Sequence, residues 1–521
     1  MEKESRVKHS VKNAAFSMIT QVINLVISYI TRFIFVRTLS QEYLGVNGLF
    51  SNILTVFSLA ELGIGSAIVF AMYKPIAENN ESKIKAYMNF YKKCYTIIAL
   101  VILCMGLLIL PNLSFFINEN SNINNLNIIY LLYLVDSVFS YLCVYKISII
   151  NAMQKNYIYN LYQSIGKVIS SILMCISLII FRDFIIYLVI QILFKLITNI
   201  VISIKADKMY PFIKNTKGNI LGKEDKKSIL KNVYGLFCNQ IGNILINGTD
   251  NIIISKYVSL SAVGLYSNYY LVIGAVQNFI GQIFNSIVAS VGNYGASESK
   301  EKNYELFKKI FFINFIMVSF CTVEIYVCIN TFIELSFGIE YLIDGVTVIV
   351  ILINFYLLTM KNTVGTFKYA LGIFWEDKYS NFIRAVINIV VSIVLAKKCG
   401  ILGVFLGTLI SDILTTYWFQ PYVLYKYGFN KSIIKFLIQY LKYTLVISIE
   451  LVIVYFINSY LLKIDNLFIL LISEMFIGFI VPLGITYLLY RKNENITQLK
   501  KYIMNFVNAK YRSGLVNERK S

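Results

Sequence analysis

Apolar positions along this chain fall in runs rather than in alternation. The segment NAAFSMITQVINLVISYITRFIFV, Asn13 to Val36, is long enough to cross the hydrocarbon core of a bilayer. Similar runs recur at approximately 13–36, 44–72, 91–110, 127–150, 157–181, 184–204, 230–255, 262–290, 308–330, 343–370, 379–397, 402–425, 436–460 and 466–490. Strands of a membrane barrel would read as short alternating segments, and these runs are long and continuous. The pattern predicts an all-α polytopic membrane protein with about 14 transmembrane helices.

Polar residues inside the runs are not scattered. In the first run Ser17, Gln21, Asn24, Ser28, Thr31 and Arg32 step by three or four, which puts them on one helix face. The seventh run repeats the device with Gln240, Asn243, Asn247, Asp250 and Asn251. A third stripe is Gln163, Lys167 and Ser170; a fourth is Asn381, Arg384, Asn388 and Ser392. A charge at mid-bilayer costs about 2.5–3.5 kcal/mol even on the lenient insertion scale. Several such charges facing lipid would oppose insertion, so the stripes are expected to face a shared wet cavity. Two bland readings stand beside that one: Arg32 can snorkel from the outer end of its span, and Asn and Ser stripes can glue helices together. Recurrence of the stripes at corresponding places favours the cavity.

Composition agrees with the pattern: 57% of the 521 residues are hydrophobic, 15% are charged, and mean hydropathy is +0.66. The formal charge of +20 sits in the connections between runs, where topology explains it without nucleic acid. Lysine bias alternates with each crossing. The N-terminal arm carries Lys3, Arg6, Lys8 and Lys12, the second connection Lys74, Lys83, Lys85, Lys92 and Lys93, and KADKMYPFIKNTKGNILGKEDKKSILK from Lys205 is the most basic stretch. By contrast 111–126 holds only Glu119, and 331–344 holds Glu334, Glu340 and Asp344. Both termini are therefore expected in the cytoplasm, with Lys397 and Lys398 the exception to the alternation. The basic N-terminus has no small-residue cleavage site and reads as an uncleaved first helix.

The basic connection from Lys205 also divides the chain. An offset of 219 brings Lys12-Asn13 onto Lys231-Asn232, Gln21 onto Gln240, Asn24 onto Asn243, Ser40 onto Ser259 and Gly45 onto Gly264. An offset of 221 brings Asn160 onto Asn381. The shared offset of 219 at equivalent topological places indicates an internal parallel repeat. The expected organisation is an N-terminal lobe at 1–222, a C-terminal lobe at 223–430, and two further helices with a basic cytoplasmic tail at 431–521.

Catalytic signatures are missing. There is no GxxxxGK[ST], HExxH or GxSxG, the eight cysteines form no CxxC, and the single histidine, His9, precedes the first span. Neither a metal nor a cofactor is expected, and the external connections are too short to house a catalytic domain. Of the carboxylates inside spans, Glu61 in FSLAELGIGSAI, where Gly63 and Gly65 allow a bend or close helix approach, and Asp250 are the candidates for carrying a proton or a sodium ion. Neutralising a nearby base is the structural alternative for Glu61.

The segment RTLSQEYLGVNGLFSNILTVFSLAELGIGSAIVFAMYKPIAENNESKIKAYMNFYKKCY, Arg37 to Tyr95, resembles the start of polysaccharide exporters of Gram-positive bacteria. KADKMYPFI at the end of the sixth run and QPYVLYKYGF at the end of the twelfth fit the same pattern. These exporters form the polysaccharide-transporter branch, the O-antigen and capsule flippases, of the multidrug/oligosaccharidyl-lipid/polysaccharide exporter superfamily. The resemblance implies two six-helix lobes arranged as a V like that of multidrug exporters, plus two trailing helices, in a bacterial plasma membrane. It implies alternating-access export of a polyprenyl-pyrophosphate-linked glycan, driven by a proton or sodium gradient, alongside membrane lipid and glycan-assembly proteins. By position Arg32, Lys167 and Arg384 are the candidate pyrophosphate ligands. Gln21, Asn24, Ser28, Gln240, Asn243, Asn247 and Asn388 are the candidate polar lining. The competing readings are a multidrug or metabolite cation antiporter of the same fold and an envelope glycan polymerase or ligase.

Overall fold

The computed structural model describes residues 3–58, 61, 63–117, 123–153, 155–214, 220–373, 376–461 and 463–491; within them the side chains of Gln240, Asn243 and Asn247 lie outside the described set. Among the described residues every regular element is helical. In chain order they are α1 (Lys3–Thr38), α2 (Gln41–Phe57), α3 (Ile64–Ala77), α4 (Glu81–Ile109), α5 (Leu126–Ala152), α6 (Asn156–Phe181), α7 (Phe184–Met209), α8 (Lys223–Tyr257), α9 (Leu260–Ser297), α10 (Lys300–Phe337), α11 (Gly345–Met360), α12 (Asn362–Ala370), α13 (Ser380–Cys399), α14 (Ile401–Leu414), α15 (Thr416–Val423), α16 (Ile434–Leu461) and α17 (Leu467–Tyr490).

Among the described residues each of the fourteen apolar runs falls largely on helix. Among the described residues, nine helices are long and apolar enough to span a membrane, or ten if the pair Leu126–Leu142 and Tyr145–Ala152, bent by 50°, counts as one. The run at 44–72 is not continuous. It divides into α2 and α3 at Gly63, whose φ of +78° suits a residue without a Cβ. The run at 343–370 likewise breaks between α11 and α12.

Tight connections set neighbouring helices side by side. Between α6 and α7 the chain reverses in two residues. Arg182 takes a left-handed conformation, and Asp183 caps α7 by accepting from the amides of Ile185 and Ile186 at 2.7 and 2.9 Å. That hairpin carries Lys167 on one arm and Lys195 on the other.

The chain divides into two compact units. The first comprises Met1–Leu271 and Lys378–Thr415. Within it α2 and α9 cross at a contact that bears on the repeat. A Cβ on Gly45 would stand 1.9 Å from the Leu260 carbonyl oxygen, and one on Gly264 would stand 2.5 Å from the Gln41 carbonyl oxygen. Gln41 and Leu260, like Gly45 and Gly264, are separated by the repeat offset of 219. The contact is therefore reciprocal, as at a local twofold axis. Packing of α1 on α6 is matched by packing of α8 on α13, the second pair related to the first by the same repeat.

The second unit comprises Val272–Asp377 and Thr416–Ser521. Its core is aromatic: Phe307 packs against Phe311, Phe367, Tyr425, Phe429 and Phe436 at ring separations of 5.2–6.4 Å. In lipid, where chain packing replaces water exclusion as the source of cohesion, such interlocked rings carry the fold. Phe307 is fully buried, so Phe307→Ala is expected to cost about 3–5 kcal/mol; a thermal melt of the purified protein in detergent checks it. One carboxylate in this unit is bonded between helices: Glu450 of α16 accepts from Ser319 of α10 and from Thr486 of α17, the latter at 3.3 Å.

Candidate functional site

The stripes of α1 and α6 face each other. Asn24 donates from Nδ2 to Ser164 Oγ at 3.4 Å, and Lys167 Nζ donates to Ser28 Oγ at 2.8 Å. Behind them α6 and α7 close tightly, because Gly166 leaves no room for a side chain: a Cβ there would stand 2.1 Å from Thr198 Oγ1. Between α1, α2, α6 and α7 the first unit holds a half-open cavity of about 550 Å³. Its lining includes Asn24, Ser28, Arg32, Lys167 and Lys195, together with Gln163, Gln191 and Tyr187. Polar groups thus line one space over the two turns from Asn24 to Arg32, a rise of about 12 Å.

Two of these cations are uncompensated. Among the described residues no carboxylate pairs with Arg32 or Lys167. Arg32 has the phenols of Tyr187 and Tyr133 beside it, and its Nη1 is buried with no hydrogen-bond partner among the described residues. A buried guanidinium donor left unbonded is costly. Lys195, the third cation of the lining, is ion-paired with Asp136 at 2.8 Å.

A second space of about 410 Å³ adjoins, bordered again by Gln191 and Lys195 and also by Glu61, Tyr133, Asp136 and Tyr141. Glu61 follows the helix break at the end of α2 and accepts a hydrogen bond from Tyr95. Gly65 makes that possible, since a Cβ there would stand 2.4 Å from the Tyr95 hydroxyl. Tyr133 in turn donates to Asn47 Oδ1 at 2.5 Å, linking the wall of the second space to that of the first.

The fourth stripe departs from expectation. Arg384 is buried and ion-paired with Asp412 of α14, 28 residues on, and Asp250 also lies within its electrostatic reach. It does not line the Arg32–Lys167 cavity; its Nη2 is held by Asp412, and its Nε is buried with no hydrogen-bond partner among the described residues. Asn388 is fully buried rather than cavity-lining: it donates to Thr408 at 2.9 Å and to Ser392 at 3.5 Å. The physical reason is the α13–α14 hairpin. Gly407 lets the two helices meet so closely that a Cβ would stand 2.2 Å from Ser392 Oγ, and the stripe becomes interhelical glue. Gln21 is half-buried and lies outside the cavity lining. Gln240, Asn243 and Asn247 fall among the side chains outside the described set. Asp250 is flanked by Tyr266 and Tyr270, and its Oδ1 is buried with no hydrogen-bond partner among the described residues.

Sequence reasoning did not assign Lys195, Gln191, Tyr187 or Asn47 to the site. Lys195 was legible only as a lysine inside a span, a feature that fits snorkelling or pairing equally well.

Comparison with known proteins completes the picture. A family model described as polysaccharide biosynthesis protein matches residues 10–291. No curated protein sequence matches. Among solved structures, the lipid II flippase MurJ in an inward closed conformation is similar over 92% of this chain and 99% of that one, with a TM-score of 0.65 and 17% identity. An inward-facing multidrug resistance MATE family transporter of the MOP superfamily is similar over 78% of this chain and 95% of that one, with a TM-score of 0.57 and 13% identity. A MATE transporter in a bent conformation gives a TM-score of 0.52 at 12% identity over 80% and 95%. These likenesses establish a common polytopic helical fold.

Proposed function

The chain belongs to the polysaccharide biosynthesis protein family, and from that premise we propose that it is a flippase. In this reading it moves a polyprenyl-pyrophosphate-linked oligosaccharide from the cytoplasmic to the outer leaflet of a bacterial plasma membrane by alternating access, with both termini cytoplasmic. The observation that carries the proposal is the polar cavity holding Arg32 and Lys167, which have no carboxylate partner among the described residues. A pyrophosphate esterified at both ends is a dianion at neutral pH. Two unpaired cations answer it charge for charge, and an arginine fork matches phosphate oxygens in direction as well as sign. A cavity of about 550 Å³ lies in the ~300–1,000 Å³ range of small-ligand sites, enough for the pyrophosphate and the first sugars. Asn24, Gln163 and Gln191 supply hydrogen bonds to sugar hydroxyls. The lobes at 1–222 and 223–430, with 431–521 appended, would rock against each other, as parallel repeats permit.

Glu61 and Asp250 are the proposed carriers of the coupling proton or sodium ion. A second reading, a multidrug or metabolite cation antiporter of the same fold, draws on the same Asp250 Oδ1. One reconstitution separates the two. In proteoliposomes the chain is expected to move a fluorescent short-chain polyprenyl-pyrophosphate disaccharide between leaflets and to leave a cationic dye where it is. Dye export with an immobile lipid-linked sugar would establish the antiporter instead.

A further inference from the structure

We propose that Lys195 is a third ligand of the cargo's phosphates and that Asp136 is its resting counter-ion, which the cargo displaces on entry and which reclaims the lysine on release. This rests on the flippase reading of the same cavity.

The two groups stand at a junction. Lys195 borders both the cavity of Arg32 and Lys167 and the second space that holds Asp136 and Glu61. Gln191, one helical turn earlier on α7, borders both as well. The pair is unevenly buried: Asp136 on α5 has a side-chain exposure of 14%, whereas Lys195 is 41% exposed. Asp136 has a lysine partner and no arginine fork, and a lysine ammonium at the end of a flexible four-carbon stem can change partners by rotation alone.

Charge arithmetic favours an exchange. With Lys195 on Asp136, the cavity presents the two positive charges of Arg32 and Lys167. A third free cation there would raise the cost of the empty state through mutual repulsion and desolvation. When a dianion enters, its own charge replaces that of Asp136 as the local counter-ion, and Lys195 can turn to it without leaving the cavity. The transfer is then reversible: a permanent third cation would hold the cargo, and a carboxylate competing for that cation lowers the barrier to letting go. Among the described residues that line the Asp136 side, Glu61, Tyr133 and Tyr141 are the other titratable groups, and no lining residue besides Lys195 is a cation.

Binding of a short-chain polyprenyl pyrophosphate to the detergent-purified chain tests this, with the corresponding uncharged polyprenol as control. Lys195→Ala is expected to weaken binding about tenfold and Lys195→Arg to restore it. Asp136→Asn is expected to do what damage to a purely structural pair would not do, and tighten binding about threefold to tenfold while slowing release. Combined with Lys195→Ala, the Asp136→Asn gain should vanish. Unchanged affinity in both single variants, with Arg32→Ala still weakened, would overturn the exchange and leave the cavity reading standing. Unchanged affinity in Arg32→Ala as well would overturn both. Should Asp136→Asn fail to fold, the alanine and arginine variants decide alone: equal affinity in both and in the parent protein rejects the proposal.

Discussion

Arg32→Ala is expected to lower the initial rate of flipping about 100-fold in proteoliposomes while insertion and melting temperature stay near those of the parent protein. Arg32 has no carboxylate partner among the described residues, and its buried Nη1 has no acceptor. Removing it therefore takes away contacts that cargo alone would satisfy. A hydrogen bond to a charged group is worth about 1.5–3 kcal/mol, and a guanidinium makes two to a phosphate. Lys167→Ala should cost less, about tenfold, since the ammonium is a single point of contact that Ser28 already partly engages at 2.8 Å. Arg32→Lys should recover part of the loss, keeping charge without the fork. Arg384→Ala makes the contrast. Its arginine is buried against Asp412, so the alanine removes one member of a buried ion pair and should destabilise the fold, by up to about 3–5 kcal/mol. Normal flipping by Arg32→Ala, or an Arg384→Ala protein that melts normally yet cannot flip, would reverse the assignment of the two arginines.

Gly45→Ala and Gly264→Ala are each expected to lower the melting temperature by roughly 5–10 °C, and the leucine variants to abolish accumulation of folded protein. Overpacking of a close contact costs about 1–3 kcal/mol or more when the obstacle is backbone. Here it is: the new methyl would stand 1.9 Å from the Leu260 carbonyl oxygen in one case and 2.5 Å from that of Gln41 in the other. Carbonyl groups inside a helix cannot swing aside, so α2 and α9 must separate. Because the two contacts are reciprocal, separation forced by one variant makes room for the other, and the double variant should lose less than the sum. Gly281→Ala is the control. It lies on α9 where a Cβ meets nothing within 4 Å, and it should melt at or slightly above the parent temperature. Equal melting of Gly45→Ala and Gly281→Ala would mean that the crossing is not as close as described.

Much of this was legible along the chain. Apolar runs located the helices because a backbone in lipid must satisfy its own hydrogen bonds, and only a helix does so within one segment. Spacings of three and four told which residues share a face, and the α1 and α6 stripes do meet. Offsets of 219 told that Gly45 and Gly264 are counterparts, although nothing in one dimension told that they touch. The break at Gly63 was readable as a bend or a close approach, and the neighbourhood uses both: Gly63 turns, and Gly65 admits Tyr95.

What sequence alone determined, then, is the class of protein, the place of its helices, their repeat and which residues share a helix face, all consequences of local periodicity. Which charges remain free was decided by tertiary structure. Arg384 and Arg32 look alike as arginines on polar stripes, but α14 returns Asp412 to one and no described element brings a carboxylate to the other. Lys195 meets Asp136 from 59 residues away. The physical reason is that a side chain's field depends on distance in space and on the loss of solvent around it, and a helical period fixes direction but neither of those.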